Sequence, residues 1–228
     1  DMSGMSRTRH LAGESVTPSR TRSILDETDV EDVFSAGGNS DGIWGSSDCK
    51  YHHGIHVWMD VNLLEVVDPK TGEPLEYGER GRWVSTLLIP GGPAVVRYLG
   101  DDLVKVEKEK CECGRTHYLV QIYDRVDNAF VKGGRYLTPY DISLAIEEVC
   151  GYRPFTILEP ESSGDRLRLL VARSGDNDPC LKSADEIDKE LRRRYGVGAD
   201  VMWVDARELP FSYRKLIRVY REGGGVAS

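Results

Sequence analysis

The chain has 228 residues, enough for one large domain or two small ones with a sizeable core. Its 39% hydrophobic and 30% charged content is that of a soluble globular protein, and a net charge of −8 disfavours nucleic acid as a partner. No apolar run approaches the ~20 residues a membrane span needs, and no signal-peptide pattern opens the chain. A cytoplasmic, reducing setting is therefore expected. There the five cysteines fit metal binding better than a disulfide framework. Asp1-Met2-Ser3-Gly4 does not read as a translation start, so an upstream portion is expected to be missing.

Residues 8–13 have the pattern of a buried strand ending at a glycine. Thr17-Pro18 then supplies a cap and a proline at the first helical position, which predicts a helix over 18–26. Residues 31–48 are rich in Gly, Ser, Asn and Asp and predict a loop. From 55 to 126 the pattern is β: 55–59, 63–67, 82–89, 94–98, 103–107 and 117–123 are strand-like. Asp68-Pro69-Lys70-Thr71-Gly72 forms a strong turn between the second and third of these. This stretch predicts a small antiparallel sheet or barrel.

Beyond it the texture changes. A strand over 129–131 leads to Thr138-Pro139, which caps a helix running to Cys150 with Ile142, Ala145, Ile146 and Val149 on one face. Strands over 155–158 and 166–172 flank a Ser162-Ser163-Gly164 turn. Ser183 caps a second helix to Tyr195, and 200–204 is a closing strand. The order βαββαβ predicts a compact two-layer unit, so the fold class is α+β with a boundary near Asp127. Arg192-Arg193-Arg194 shares its helix with Asp185, Glu186, Asp188 and Glu190, and so predicts a solvated face rather than a binding patch.

Six fragments in order resemble the C-terminal portion of the adenylate-forming (AMP-binding) ligases, in the phenylacetate–CoA ligase-like and coenzyme F390 synthetase-like branch. Leu11-Ala12-Gly13-Glu14 is similar to that family's Gly-Glu turn at the adenine pocket. Gly38-Asn39-Ser40-Asp41 stands in place of its Tyr-Gly-x-Ser/Thr-Glu loop, with an aspartate for the glutamate and no aromatic. Arg97-Tyr98-Leu99-Gly100-Asp101-Asp102-Leu103 resembles its Arg-Tyr-x-x-x-Asp-Leu segment. Cys111-Glu112-Cys113-Gly114-Arg115-Thr116 resembles its Cys-x-Cys-Gly-Arg-Thr signature. Arg125-Val126-Asp127 followed by Lys132-Gly133 is similar to its hinge, and Leu209-Pro210 through Lys215 to its terminal lysine motif.

The resemblance implies ATP- and Mg²⁺-dependent activation of a carboxylic acid, aryl or arylacetic by analogy, to an acyl-adenylate that CoA then captures. Residues 1–126 would be the end of the large AMP-binding domain, β-rich from about 55, and 127–228 a mobile C-terminal lid. Lys215 would be the catalytic cation, a compact point charge suited to phosphate and carboxylate oxygens. Gly13, Glu14, Asp41, Asp102 and Arg125 would bind nucleotide, with Asp102 accepting from the ribose hydroxyls. Asp127 would be the pivot, and Gly133 and Gly134 would let pantetheine pass close to backbone.

A second constellation stands on its own spacing. Cys49 and His56, with Cys111 and Cys113, make a Cys₃His set of the kind that holds structural Zn²⁺. His52 or His53 could replace His56, and Cys150 is expected in a core. The family's phosphate-binding loop is not in this sequence, so the chain alone is not expected to complete adenylation. It reads as a fragment of a longer ligase, whose missing N-terminal part lies in the same or a second chain. The alternatives are a split-enzyme subunit, a non-catalytic nucleotide- or partner-binding module, or a relative that transfers AMP or forms an amide.

Overall fold

A computed structural model gives the architecture for residues 7–12, 16–38, 45–92, 94–132, 135–158, 166–212 and 215–220. The chain divides into two compact units, Asp1–Asp127 and Asn128–Ser228. The elements are mixed, sheets with three helices among the described residues, so the class is α+β. No helix of the described residues is long and apolar enough to cross a membrane.

The first unit opens with β1 (Thr8–Ala12), α1 (Pro18–Glu27), β2 (Asp32–Gly38) and β3 (Gly45–Ser47). Thr17 is extended (φ −90°, ψ 157°), and its Oγ1 accepts the Arg20 N–H at 3.3 Å, one of the donors a helix start leaves unmet. β2 corrects the loop expected over 31–48. Its low-propensity Ser35-Ala36-Gly37-Gly38 is held extended by pairing on both sides, parallel to β1 and antiparallel to β3, while Val33 is buried.

β4 (Ile55–Val57), β5 (Asn62–Val67), β6 (Arg80–Leu87), β7 (Tyr98–Glu107) and β8 (Tyr118–Arg125) form an antiparallel sheet in the order β4-β8-β7-β6-β5. Asp68 Oδ1 accepts the Lys70 and Thr71 N–H groups, both at 2.8 Å, and so closes the β5–β6 connection. Val57, Leu64, Val66, Trp83, Val104, Val106 and Val120 pack as one core on this sheet. Each such side chain contributes roughly 1.5–3 kcal/mol on burial. The strand expected over 94–98 is absent. Arg97 sits at φ 49° with its N–H on Thr86 Oγ1 at 2.9 Å, and that left-handed step interrupts any extended run before β7.

A 3₁₀ turn at Val126–Asn128 spans the boundary, and the second unit goes on with a hairpin of β9 (Phe130–Lys132) and β10 (Arg135–Leu137). α2 (Pro139–Cys150), β11 (Phe155–Leu158), β12 (Arg166–Arg173), α3 (Ala184–Tyr195) and β13 (Gly198–Asp205) follow. The hairpin β14 (Phe211–Ser212)–β15 (Lys215–Leu216) and β16 (Val219–Tyr220) come last. Asp141 Oδ2 accepts from both the backbone N–H and the hydroxyl of Thr138, at 2.9 and 3.0 Å, which closes the start of α2. Before α3 the Ser183 carbonyl, not its side chain, takes the Glu186 and Ile187 N–H groups. Gly196 ends the helix in the left-handed conformation.

Leu167, Leu169 and Val171 alternate inward along β12 to meet Ile142, Ala145, Ile146, Phe155, Ile157, Ile187 and Leu191 in a single core. The sheet order is β13-β12-β11-β16. The expected βαββαβ layering therefore needs one correction. The first strand does not join this sheet: three-residue β9 uses its hydrogen bonds on β10, and β16 lies parallel to β11 at the edge instead. The arginines of α3 are paired on its surface, Arg192 with Asp188 at 2.9 Å, Arg193 with Glu190 at 2.6 Å and Arg194 with Glu148 at 3.2 Å.

Candidate functional site

Two constellations of the first unit carry chemistry. In the first, Cys49 opens a tight turn whose carbonyl accepts the His52 N–H at 2.8 Å. Cys111 opens another, closed by the Gly114 N–H at 3.0 Å with Gly114 at φ 83°. His56 lies on β4 directly opposite Leu119 of β8, which brings its ring to the turn leading into that strand. The ligand atoms of Cys49, His56, Cys111 and Cys113 all lie within 4.8 Å of one another. Cys49 Sγ is 3.6 Å from Cys111 Sγ, and Cys113 Sγ is 3.5 Å from His56 Nε2.

A tetrahedral ion with Zn–S near 2.3 Å and Zn–N near 2.0 Å separates its ligand atoms by about 3.5–3.8 Å, which the Cys49–Cys111 and Cys113–His56 distances match. A disulfide needs about 2.05 Å, and these cysteines are free thiols. Burial pushes the Cys49 thiol up, and the neighbouring thiols add to the effect. The Arg115 backbone N–H on its sulfur holds Cys113 down. Burial lowers the His56 pKa, with Arg115 and His117 adding to the effect, which favours the neutral ring, the form that ligates metals.

His52 is not part of this cluster. Its Nδ1 is 2.9 Å from Asp48 Oδ2 and its Nε2 is 3.0 Å from Asp32 Oδ1. Burial works against its charge, but the Asp48 bond and the Asp48 and Asp32 charges prevail and raise its pKa. His53 instead meets the Tyr51 ring edge-on at 6.3 Å. In the second unit, Cys150 packs against the core, where burial and the neighbouring Cys180 push its pKa up to about 12.

The second constellation is on β6, β7 and β8. Asp102 pairs directly with Arg125 across the sheet. Two register breaks bracket it, one where Trp83 faces Gly100 through Asp102, the other beyond Leu103. Such bulges turn a strand and re-aim its side chains. Trp83 is 2% exposed, and a Cβ built on Gly100 would lie 1.9 Å from its ring. Only a glycine leaves room for the indole there. Arg82 donates from Nε to the Gly100 carbonyl and from Nη2 to Asp101 Oδ1, at 2.9 Å, bracing the bulge from outside.

Burial raises the Asp102 carboxyl above the ordinary range, and this outweighs the opposing effects of the Arg125 charge and the polar edge of Trp83. The arrangement is a half-buried carboxylate with a cation opposite, suited to accept hydrogen bonds from paired hydroxyls. Trp83 and Gly100 have no local sequence signal, because their contact exists only across the bulge.

Gly13, Glu14, Asp41, Gly133 and Gly134 lie outside the described residues. Asp127 is exposed in the 3₁₀ turn at the unit boundary. Lys215 pairs through its backbone with Ser212 in β15, and its side chain is outside the described set. The segment before it is anchored: Leu209 is 3% exposed, and the Pro210 carbonyl accepts the Ile217 N–H at 2.9 Å.

No protein-family model matches the chain. Over 131 residues it is 39% identical to a phenylacetate-coenzyme A ligase of Thermus thermophilus, covering 55% of this chain and 29% of that one. A phenylacetate-coenzyme A ligase of Escherichia coli is 25% identical over 174 residues, 73% of this chain and 39% of the relative. Among solved structures, 2-hydroxyisobutyryl-CoA ligase in its postadenylation state with 2-HIB-AMP superposes with a TM-score of 0.77. That match has 24% identity and covers 94% of this chain and 48% of that one. The chain thus spans under half the length of each of these proteins. In sequence it is a relative of the phenylacetate-coenzyme A ligases, and its fold is that of the adenylate-forming CoA ligases.

Proposed function

We propose that the chain is part of an ATP-dependent acid–CoA ligase that first forms an acyl-adenylate and then a thioester, with an aryl or arylacetic acid as substrate. The observation that carries this reading is the 39% identity to a phenylacetate-coenzyme A ligase. The bulged Asp102–Arg125 pair is in keeping with it, since a carboxylate and a cation are the groups that a ribose and its phosphate would call for.

In this reading residues 1–126 are the rear wall of the adenylation site and residues 127–228 the lid. Asp102 accepts from the ribose hydroxyls, and Arg125 faces the adjoining phosphate. Gly13, Glu14 and Asp41 complete the nucleotide contacts, Asp41 toward Mg²⁺. Carboxylate attack on the α-phosphate of ATP releases pyrophosphate and concentrates negative charge, which Lys215 offsets. Rotation about Asp127 then withdraws Lys215 and admits CoA past Gly133 and Gly134. Cys49, His56, Cys111 and Cys113 hold a structural Zn²⁺, which ties the 49–56 segment to the β8 entry. Its bond energy is folding energy for that turn pair.

The test is pyrophosphate release by the intact protein across a panel of carboxylic acids with ATP, Mg²⁺ and CoA. Release stimulated by phenylacetate or a close aryl acid is the expected result. No acid-dependent release with any member of the panel would overturn the reading.

A further inference from the structure

The Cys₃His cluster has beside it two buried polar atoms with no hydrogen-bond partner among the described residues. They are Asp48 Oδ1 and His56 Nδ1. His56 is 1% exposed and Asp48 6%, so solvent cannot supply what is lacking. Leaving such groups unmet is costly, because each loses its hydrogen bond to water with nothing in exchange. The two are complementary. With Nε2 turned to Cys113 at 3.5 Å, a ring that ligates through Nε2 carries its proton on Nδ1. Asp48 adjoins Cys49 in the chain, and the hydroxyl of Ser46, two residues before it, donates to the His56 carbonyl, which holds the two segments together. A hydrogen bond between this ring nitrogen and this carboxylate oxygen would satisfy both.

Asp48 is fixed on its other sides. Its N–H is on the Ser35 carbonyl of β2 at 2.9 Å. Its Oδ2 takes His52 Nδ1 at 2.9 Å, and His52 Nε2 reaches Asp32 Oδ1 at 3.0 Å. Asp32 begins β2, and its Oδ1 also accepts the Val33 N–H at 2.8 Å. Phe34, on the same strand, holds its ring 5.3 Å from that of His52 and stacks on His10 of β1 at 5.4 Å. His52 itself stands at φ 52°, a left-handed position that a non-glycine residue takes at some cost, with its N–H on the Cys49 carbonyl. The turn is thus shaped to present His52 between two carboxylates.

We infer that Asp48 is a positioning residue for the metal centre. Its Oδ1 accepts the Nδ1–H of metal-bound His56, and its Oδ2, through His52, joins that ligand to Asp32 on β2. The inference rests on the Cys₃His set binding Zn²⁺. Metal-bound imidazoles commonly donate their second N–H to a carboxylate, which fixes the tautomer and ring angle and strengthens the ligand. Here the chain runs on to a second histidine and a second carboxylate, so the metal turn and the three-stranded sheet are joined by one polar line: His56, Asp48, His52, Asp32.

The experiment uses the full 228-residue chain. Zinc affinity is measured by chelator competition, and the site is loaded with Co²⁺ for its visible absorption. Removing an outer partner of this kind weakens metal binding by about 10–100-fold. Asp48→Ala is expected to show that loss while keeping a four-coordinate cobalt spectrum with a shifted band. Asp48→Asn, which keeps an acceptor oxygen, is expected to lose less than Asp48→Ala, and His52→Gln to fall between wild type and Asp48→Ala.

If Asp48→Ala does not fold, the zinc-loaded wild type decides. Long-range nitrogen–proton NMR should show His56 bonded through Nε2, with a slowly exchanging Nδ1 proton that moves in Asp48→Asn. Wild-type affinity in Asp48→Ala, or ligation through Nδ1, would overturn the inference while leaving the metal site standing. Failure of the wild-type chain to bind either ion would overturn the metal reading itself.

Discussion

Gly100→Ala is a one-methyl change with a large consequence. The new Cβ would lie 1.9 Å from Cε2 of Trp83, 2.2 Å from its Nε1 and 2.3 Å from Cζ2, where contacts below 3.0 Å do not occur. The obstacle is a rigid ring, 2% exposed and packed among Val57, Leu64, Val66 and Val104. Either the indole leaves its seat or the bulge at Gly100–Asp102 opens. Overpacking of this kind costs about 1–3 kcal/mol, and the upper half of that range applies because neither the ring nor paired backbone yields easily. For a unit of this size about 2–3 kcal/mol corresponds to a fall in Tm of roughly 7–10 °C.

The assay is thermal unfolding followed by near-UV circular dichroism, which reports the asymmetric surroundings of the buried indole. Binding of a non-hydrolysable acyl-adenylate mimic to the intact protein should weaken in parallel, since the same bulge aims Asp102. A variant with Tm within 2 °C of wild type and an unchanged near-UV spectrum would refute the argument. So would lost stability with unaltered mimic affinity, which would separate the packing from the site.

Asp102→Asn should move stability and binding in opposite directions. The folded pKa of Asp102 is raised, so the native state holds its proton longer than the unfolded chain does. Stability from this group is full below the ordinary carboxylate pKa and is lost as pH rises through the folded value. The asparagine variant should therefore match wild type near pH 3.5 and exceed it in Tm at pH 7, while binding the adenylate mimic more weakly. Asp178 has the opposite sign. The Ser174 N–H holds its carboxyl down against burial, with the Cys180 N–H and Arg153 adding to this, so its contribution is present above the ordinary carboxylate pKa and lost as pH falls through the folded value. Asp178→Ala should cost about 2–3 kcal/mol at pH 7 in urea titrations, with the difference from wild type closing in acid. Cys113→Ser should lower bound zinc from near one equivalent to well below it in metal analysis. Chelation of the wild type should lower the Tm of the first unit, and added Zn²⁺ should restore it.

What could be read in advance divides along physical lines. α2 and α3 were visible because their signals are local: Thr138-Pro139 and Ser183 before their starts, and apolar residues at 142, 145 and 146. The Cys₃His set was visible from residue type and spacing. His56 was the histidine named with it, but nothing local set His52 and His53 aside; that depends on the pairing of β4 with β8, a contact across more than sixty residues. β2 was hidden because its Ser-Ala-Gly-Gly run has no strand propensity of its own and is held by neighbours on both edges. The exchange of β9 for β16 at the sheet edge was hidden because it is a choice of partner, which strand propensity does not record. Asp102 was legible within its segment, but Trp83 and Gly100 were not, because a bulge is a property of two strands and neither sequence shows it alone. Asp48 reads locally as an ordinary loop acid. Its importance comes from two orphaned atoms that only the folded chain places beside the cluster.

The central claim is that Lys215 serves adenylation and is withdrawn for thioester formation. One comparison on the intact protein tests it most directly: Lys215→Ala assayed for both half-reactions. Acid-dependent exchange of pyrophosphate into ATP should fall by at least about 10²-fold, in line with the loss of one charge-stabilising group at the transition state. Capture of a supplied acyl-adenylate by CoA should stay within a few-fold of wild type. Equal loss in both half-reactions, or no loss in the first, would contradict the account.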